Sequence, residues 1–225
     1  MLQPTESPRV AGILLAAGAS RRMGTGRSKM LLELEGEALV RRAARRAHDA
    51  GLSPVVVVLG HEAERVREQL GGLGCEYVVN PDFTGPTSGS LHLGLQRLDT
   101  EADAAVIMLG DMVHVSERML TQLVVAACGS EAPLVVSRYG DVLAPPLLFR
   151  RALFDELLAW TGDGCGKAVV QRHRNEALFV DWSAALLPDV DTPEDLQAAA
   201  AQLARSSQSV RGITPTTLSG EDVAW

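Results

Sequence analysis

Apolar positions follow two rhythms along this 225-residue chain. Short unbroken apolar runs alternate with stretches in which apolar residues recur every three or four positions. Residues 10–16 and 104–109 are runs of the first kind, and 54–59 read PVVVVL. Runs this short and this rich in branched side chains predict strands covered on both faces. Residues 37–50 instead set Leu39, Ala43, Ala47 and Ala50 on one helical face, with arginines opposite, and Gly51 stops the helix. The same spacing predicts helices over 61–70, 90–98, 117–127, 151–160 and 167–174, and strands over 76–79, 133–139, 142–149 and 176–180. The last helix, 192–204, has Thr192 at its cap, Pro193 in its first turn and Asp195 three residues on. Strands alternating with helices predict an α/β fold, a parallel sheet with helices on both faces.

Composition narrows the picture only a little. A chain of this length buries about 70% of the surface its unfolded form exposes, so it needs no disulfide or metal staple. One domain is expected over residues 1–205, with the Ser/Thr/Gly/Pro-rich 206–225 as a disordered tail. The formal net charge of −7 argues against a chain dominated by nucleic-acid or membrane-surface binding. Three scattered cysteines, Cys75, Cys128 and Cys165, form no CxxC pair and fit a reducing cytoplasm. No apolar run approaches the ~18–20 residues of a membrane span. Residues 10–19 end in Ala17-Gly18-Ala19 like a signal-peptide cleavage site, but Glu6 and a lone Arg9 make a poor basic leader. A buried first strand running into a glycine turn fits better.

In a parallel sheet, ligands sit beyond the carboxyl ends of the strands. That rule selects the loops 17–29, 80–90 and 110–111, which are also the richest in Gly, Ser, Asn and charge. In the first, Leu15-Ala16-Ala17-Gly18-Ala19-Ser20 lets backbone N–H groups approach phosphates closely, and Ser20 adds a hydroxyl. Arg22 and Lys29 can neutralise a triphosphate or a leaving pyrophosphate. A plain glycine turn with solvated arginines is the alternative. The loop is neither a Walker loop nor a GxGxxG fingerprint. Asp111, at the end of a buried run, suits Mg²⁺, which prefers carboxylates, phosphates and water. A turn-forming Asp is the bland reading there, as helix capping is for Ser88 and Ser90.

The motif L-A-A-G-x-S-x-R-M-G followed by Lys29 resembles the signature loop of the small nucleotidyltransferases. Within them the chain most resembles the MobA-like group, and there the molybdenum cofactor cytidylyltransferases. Asn80-Pro81 with Gly85 and Ser88-Gly89-Ser90-Leu91 is similar to the family's nucleobase and ribose loop. Leu109-Gly110-Asp111-Met112 is similar to its metal-binding strand end, and Asp189-Val190-Asp191-Thr192-Pro193-Glu194-Asp195 to its late motif. The resemblance spans about 10–203 and implies a Rossmann-like, three-layer nucleotidyltransferase fold with a mostly parallel sheet. It implies a reaction in which CTP gives CMP to the phosphate of molybdopterin cofactor and pyrophosphate leaves. A molybdoenzyme apoprotein is an implied recipient of the product.

Carried over residue by residue, the resemblance makes Arg22, Lys29 and Asp111 catalytic. It makes Leu15, Ala16, Ala17, Gly18, Ser20, Asn80, Gly85 and Ser90 nucleotide-binding. Asp111 and a second carboxylate, Asp191 or Asp189, would hold the metal. Ala16-Ala17-Gly18 resembles the cytidylyl branch; the guanylyl branch tends to Ala-Gly-Gly. The chain departs from the family at Leu143-Ala144-Pro145-Pro146, where Gly-His-Pro is common, at Val113-His114, and in the extra length 25–28 before Lys29. The missing Gly-His-Pro keeps open another acceptor, a sugar or alcohol phosphate; a non-catalytic binder that delivers cofactor is a reading of a different class, against which Arg22, Lys29 and Asp111 argue. Residues 162–167 resemble a GD-x-G loop with Lys167 where Arg is usual, or a plain linking turn. The arginines at 41, 42, 45 and 46 read as a solvated helix face.

Overall fold

The structure is a computed structural model that describes residues 8–20, 26–98, 101–164 and 166–211, with side chains through 204. Its centre is a seven-stranded sheet. In chain order the larger strands are β1 (Val10–Ala16), β4 (Val55–Leu59), β5 (Glu76–Val79), β6 (Ala104–Leu109), β7 (Leu134–Tyr139), β8 (Val142–Arg150) and β9 (Leu178–Trp182). Their order across the sheet is β5-β4-β1-β6-β8-β7-β9. All run parallel except β8, which pairs antiparallel with both neighbours.

Period-two alternation along the strands feeds two separate cores. Val10, Leu14 and Ala16 of β1 face one way, against helices α1 (Leu39–Asp49), α2 (Ala63–Glu68) and α4 (Glu117–Cys128). Ala11, Ile13 and Leu15 face the other, against α3 (Thr87–Arg97), α5 (Phe154–Ala159) and α6 (Lys167–Arg172). This is the expected three-layer α/β arrangement with a mostly parallel sheet. Among the described residues no helix is long and apolar enough to cross a membrane.

Three local expectations need correction. The segment read as a helix from residue 37 begins as a hairpin, β2 (Glu33–Leu34) against β3 (Glu37–Ala38). Its two-residue turn needs left-handed backbone at both positions, and Glu35 (φ 56°) and Gly36 (φ 79°) supply it. The last helix, α7 (Pro193–Arg211), runs past the expected end at 204; of the expected tail, residues 212–225 lie outside the described residues. The arginine face of α1 is not all solvated. Arg42 is 9% exposed and pairs with Glu35, while Arg46 donates to the carbonyls of Val113 (2.8 Å) and Val115 (2.6 Å). Burial, with Arg42 and Arg45 alongside, brings the Arg46 guanidinium down to about 10. Periodicity placed these arginines away from the apolar stripe, but it carried no sign of the hairpin glutamate that Arg42 meets or of the turn beyond β6 that Arg46 holds.

A third, smaller core decides the site. Leu34 of the hairpin, Leu39, Val113, Val190 and Ala199 of α7 pack together, which brings the 189–191 segment beside the end of β6.

Candidate active site

Strand order reverses between β1 and β6, the position at which open α/β sheets bind ligands. A cavity of about 530 Å³ opens there. Of the residues singled out in the sequence, Leu15, Ala16, Ala17, Gly18, Ser20, Lys29, Gly85, Ser90, Asp111 and Asp191 all line it. Arg22 lies outside the described residues.

Lys29 is the hub. It begins a short 3-10 turn, Lys29–Leu31, whose cap is Ser28. Its N–H donates to Ser20 Oγ at 2.8 Å, and Ser20 itself has left-handed backbone (φ 53°). Its ammonium contacts an Asp111 carboxylate oxygen and donates to Asp191 Oδ1 at 2.8 Å. Burial alone would pull the Lys29 ammonium down; the Asp111 and Asp191 carboxylates outweigh it and hold the group above its ordinary value.

The carboxylates are brought together by backbone as well as packing. Val190 is 1% exposed, and its N–H donates to the Asp111 carbonyl at 3.0 Å. Asp189 and Asp191 therefore flank Asp111. Behind them Asp195 Oδ2 accepts from the N–H groups of Asp191 (3.1 Å) and Thr192 (2.8 Å), and Thr192 Oγ1 accepts from Asp195 N–H at 3.2 Å. This reciprocal cap starts α7 with Thr192 and Asp195 in the roles their sequence positions predicted.

Asp111, Asp189 and Asp191 offer carboxylate oxygens all within 4.8 Å of one another. Asp111 Oδ1 is buried without a hydrogen-bond partner among the described residues. Burial, with Asp111 and Asp191 alongside, pushes the Asp189 carboxyl above its ordinary value. These three carboxylates gather around the Lys29 ammonium. That donor set of hard oxygens fits a divalent cation of the Mg²⁺ or Mn²⁺ kind.

Asn80 does not line the cavity; it braces the wall. It is 4% exposed, donates from Nδ2 to Ser90 Oγ at 2.9 Å, and accepts from Asp82 N–H at 2.9 Å. It thus orients the Ser90 hydroxyl and starts the turn that carries Gly85. Ser88 does not cap α3. The position before the helix is Pro86, which has no side-chain acceptor, and Asp163 caps from outside by accepting from Thr87 N–H at 2.9 Å. Ser88 instead exchanges hydrogen bonds with Gly162 at 3.0 and 3.1 Å. The loop around 162–164 is thereby tied to α3, and Gly164 reaches the cavity. Cys165 lies outside the described residues, and Lys167 is exposed.

Sequence reasoning missed Met30 and Phe83, which also line the cavity. Phe83 stacks at a tilt on His61, with ring centroids 5.8 Å apart. A lone aromatic inside a turn cluster was the available signal. Gly60 was missed as well. A Cβ there would lie 2.5 Å from the Ala17 carbonyl oxygen and 2.6 Å from Phe83 Cβ, so only glycine lets β4 end this close to the first loop.

Residues 12–177 match the MobA-like NTP transferase domain. GlmU of Anaeromyxobacter sp. is 32% identical over 136 residues, 59% of this chain; the match covers 28% of that bifunctional protein's length. The purine catabolism protein PucB of Bacillus subtilis is 29% identical over 84% of this chain and 95% of its own. The crystal structure of Rv0371c from Mycobacterium tuberculosis superposes with a TM-score of 0.76 at 28% identity, over 87% of this chain and 99% of that one. Its complex with manganese gives 0.73 at 27% identity, over 86% and 98%. A nucleotidyl transferase of 21% identity from Methanothermobacter shares the fold, with a TM-score of 0.75. With the family model matching residues 12–177, the chain belongs to the MobA-like NTP transferase domain family.

Proposed function

We propose that this protein is a divalent-metal-dependent cytidylyltransferase that transfers CMP from CTP to the phosphate of molybdopterin cofactor. The observation that carries the reading is the cavity at the strand-order reversal. There a loop of small residues meets Lys29, Asp111 and Asp191. Leu15 to Gly18 and Ser20 offer backbone N–H groups and a hydroxyl to the triphosphate, and Lys29 offers the cation. Arg22, from its place in the same motif, adds a second cation. Gly85 and Ser90, braced by Asn80, form the wall for base and ribose. The side chains of Ala16 and Ala17 narrow the slot, which favours a pyrimidine.

An acceptor phosphate oxygen attacks the α-phosphorus, a new P–O bond forms, and the bond to the β-phosphate bridging oxygen breaks. The electron pair leaves with pyrophosphate. The chain needs no general base, because a phosphate nucleophile is already ionised. Its task is to hold both anions in line and neutralise them. Asp111 with Asp191 or Asp189 would hold the cation, magnesium in this reading. When bound, that cation offsets phosphate charge. The manganese complex of the mycobacterial relative supports a divalent ion at this fold.

The test is pyrophosphate release with Mg²⁺ and molybdopterin cofactor, comparing CTP, GTP and ATP, with Asp111→Ala as control. Release with CTP alone, lost in the variant, supports the reading. Release with GTP overturns the base assignment and keeps the reaction. CTP binding without release overturns the acceptor, and a panel of sugar and alcohol phosphates then decides between another acceptor and a delivery protein.

A further inference from the structure

The turn from β4 into α2, residues 60–62, grips both ends of the loop that follows β1, although none of the three lines the cavity. At the near end, His61 N–H donates to the Ala17 carbonyl at 3.1 Å, with Gly60 pressed against the same residue. At the far end, Glu62 Oε2 accepts from Ser28 N–H at 2.6 Å. Glu62 sits at the position before α2, where a carboxylate would ordinarily cap its own helix, yet it makes no such bond. Its backbone is left-handed (φ 54°), an uncommon state for a non-glycine residue that persists where surroundings enforce it. Its other oxygen pairs with Arg65. Ser28 is 1% exposed, and the next N–H, that of Lys29, is held by Ser20 Oγ at 2.8 Å. Two consecutive amides are thus fixed immediately before the Lys29 side chain.

We propose that Glu62 is a positioning residue, which fixes the Ser28–Lys29 backbone and so aims the Lys29 ammonium into the cavity at a bound phosphate. This rests on Lys29 as the phosphate cation of the proposed function. A carboxylate acceptor suits the task because charge-assisted bonds to backbone N–H groups are shorter and stronger than neutral ones.

The gripped N–H belongs to the Arg27–Ser28 peptide bond, which is a trypsin site with an exposed arginine. Limited trypsinolysis read by mass spectrometry therefore reports the grip without any activity. Glu62→Ala is expected to speed cleavage at Arg27 several-fold relative to Arg118 in α4 and Arg172 in α6, while Glu62→Gln, whose amide oxygen still accepts, stays near wild type. Calorimetry with inorganic pyrophosphate and Mn²⁺ reads the function. Glu62→Ala is expected to weaken binding about ten-fold, the size of a lost hydrogen bond to a charged group, and Glu62→Gln by much less. Unchanged cleavage in Glu62→Ala overturns the grip. Uniformly faster cleavage at all sites shows a global fold defect and overturns it too. Faster cleavage at Arg27 with unchanged pyrophosphate binding overturns the positioning role. Failure of the wild-type protein to bind pyrophosphate instead sinks the phosphate-site reading, and the positioning role with it, while leaving the cleavage result in place.

Discussion

Asp189 and Asp191 stand one residue apart and both flank Asp111, yet their replacement should move stability in opposite directions. Among the described residues Asp189 faces two like charges, Asp111 and Asp191, within 4.8 Å, and one opposite charge, Lys29. One unit pair at 4.8 Å is worth about 3.5 kcal/mol at the effective dielectric near a protein surface and about 0.9 kcal/mol in bulk water. Asp189 is exposed, so the screened end applies. Two repulsions less one attraction leave a net penalty of about 1 kcal/mol, which Asp189→Asn removes. A domain of this size gains about 2–4 °C in Tm for that amount. Asp191→Asn instead weakens a 2.8 Å bond to a largely buried ammonium and should lower Tm by a similar or larger step.

The assay is thermal and urea unfolding of both variants, with Asp111→Asn beside them, in EDTA and then with Mn²⁺. A cation at 100 times its Kd stabilises the wild type by about 2.7 kcal/mol. With Asp111 and Asp191 as the principal ligands, Asp111→Asn and Asp191→Asn lose that gain and Asp189→Asn keeps most of it. A lower Tm for Asp189→Asn in EDTA would refute the electrostatic reasoning. Loss of the Mn²⁺ gain only in Asp189→Asn would refute the choice of Asp191.

Three further outcomes follow from the packing. Gly60→Ala sets a Cβ 2.5 Å from a backbone oxygen that cannot swing away, so it should cost about 1–3 kcal/mol in urea unfolding and weaken pyrophosphate binding through the first loop; a neutral effect on both would contradict the close approach. Asn80→Ala and Ser90→Ala should each cost about 1–2 kcal/mol, and a double-mutant cycle should return a coupling of about 1 kcal/mol, because each leaves the other's buried group unpaired; additivity would count against the bond. Burial, with Arg46 and Arg42 alongside, holds the His114 imidazolium below its ordinary value. The unfolded chain then binds the extra proton first, so this group lowers stability as pH falls below about 6.5 and on through its folded value. His114→Gln should flatten that part of the stability–pH curve, and an unchanged slope between pH 7 and 5 would rule the contribution out.

The fold was legible because its main signals are local. An unbroken PVVVVL run can hardly be other than a strand covered on both faces, and a helical stripe ending at Gly51 can hardly continue. The ends of β1 and β6 were legible for the same reason, since each buried run stops at a Gly with chemistry immediately after it. What the pattern could not carry is pairing across distance. Nothing in the spacing of Asp189 and Asp191 puts them beside Asp111. Val190 does so, by burying itself against Leu34, Leu39, Val113 and Ala199 and donating to the Asp111 carbonyl. The hairpin that supplies Leu34 was hidden inside a helical periodicity, because two-residue turns are written in φ angles and Glu35 does not advertise a positive one. Glu62 was invisible on the same ground. Its spacing suits an ordinary helix start, and only the fold turns its carboxylate toward Ser28, 34 residues earlier. The metal-ligand candidates and the residue that aims Lys29 therefore depend on a small third core and one turn. Mutations in that core, such as Val113→Ala or Leu34→Ala, should separate the carboxylates and weaken Mn²⁺ binding without touching any group that meets the ligand.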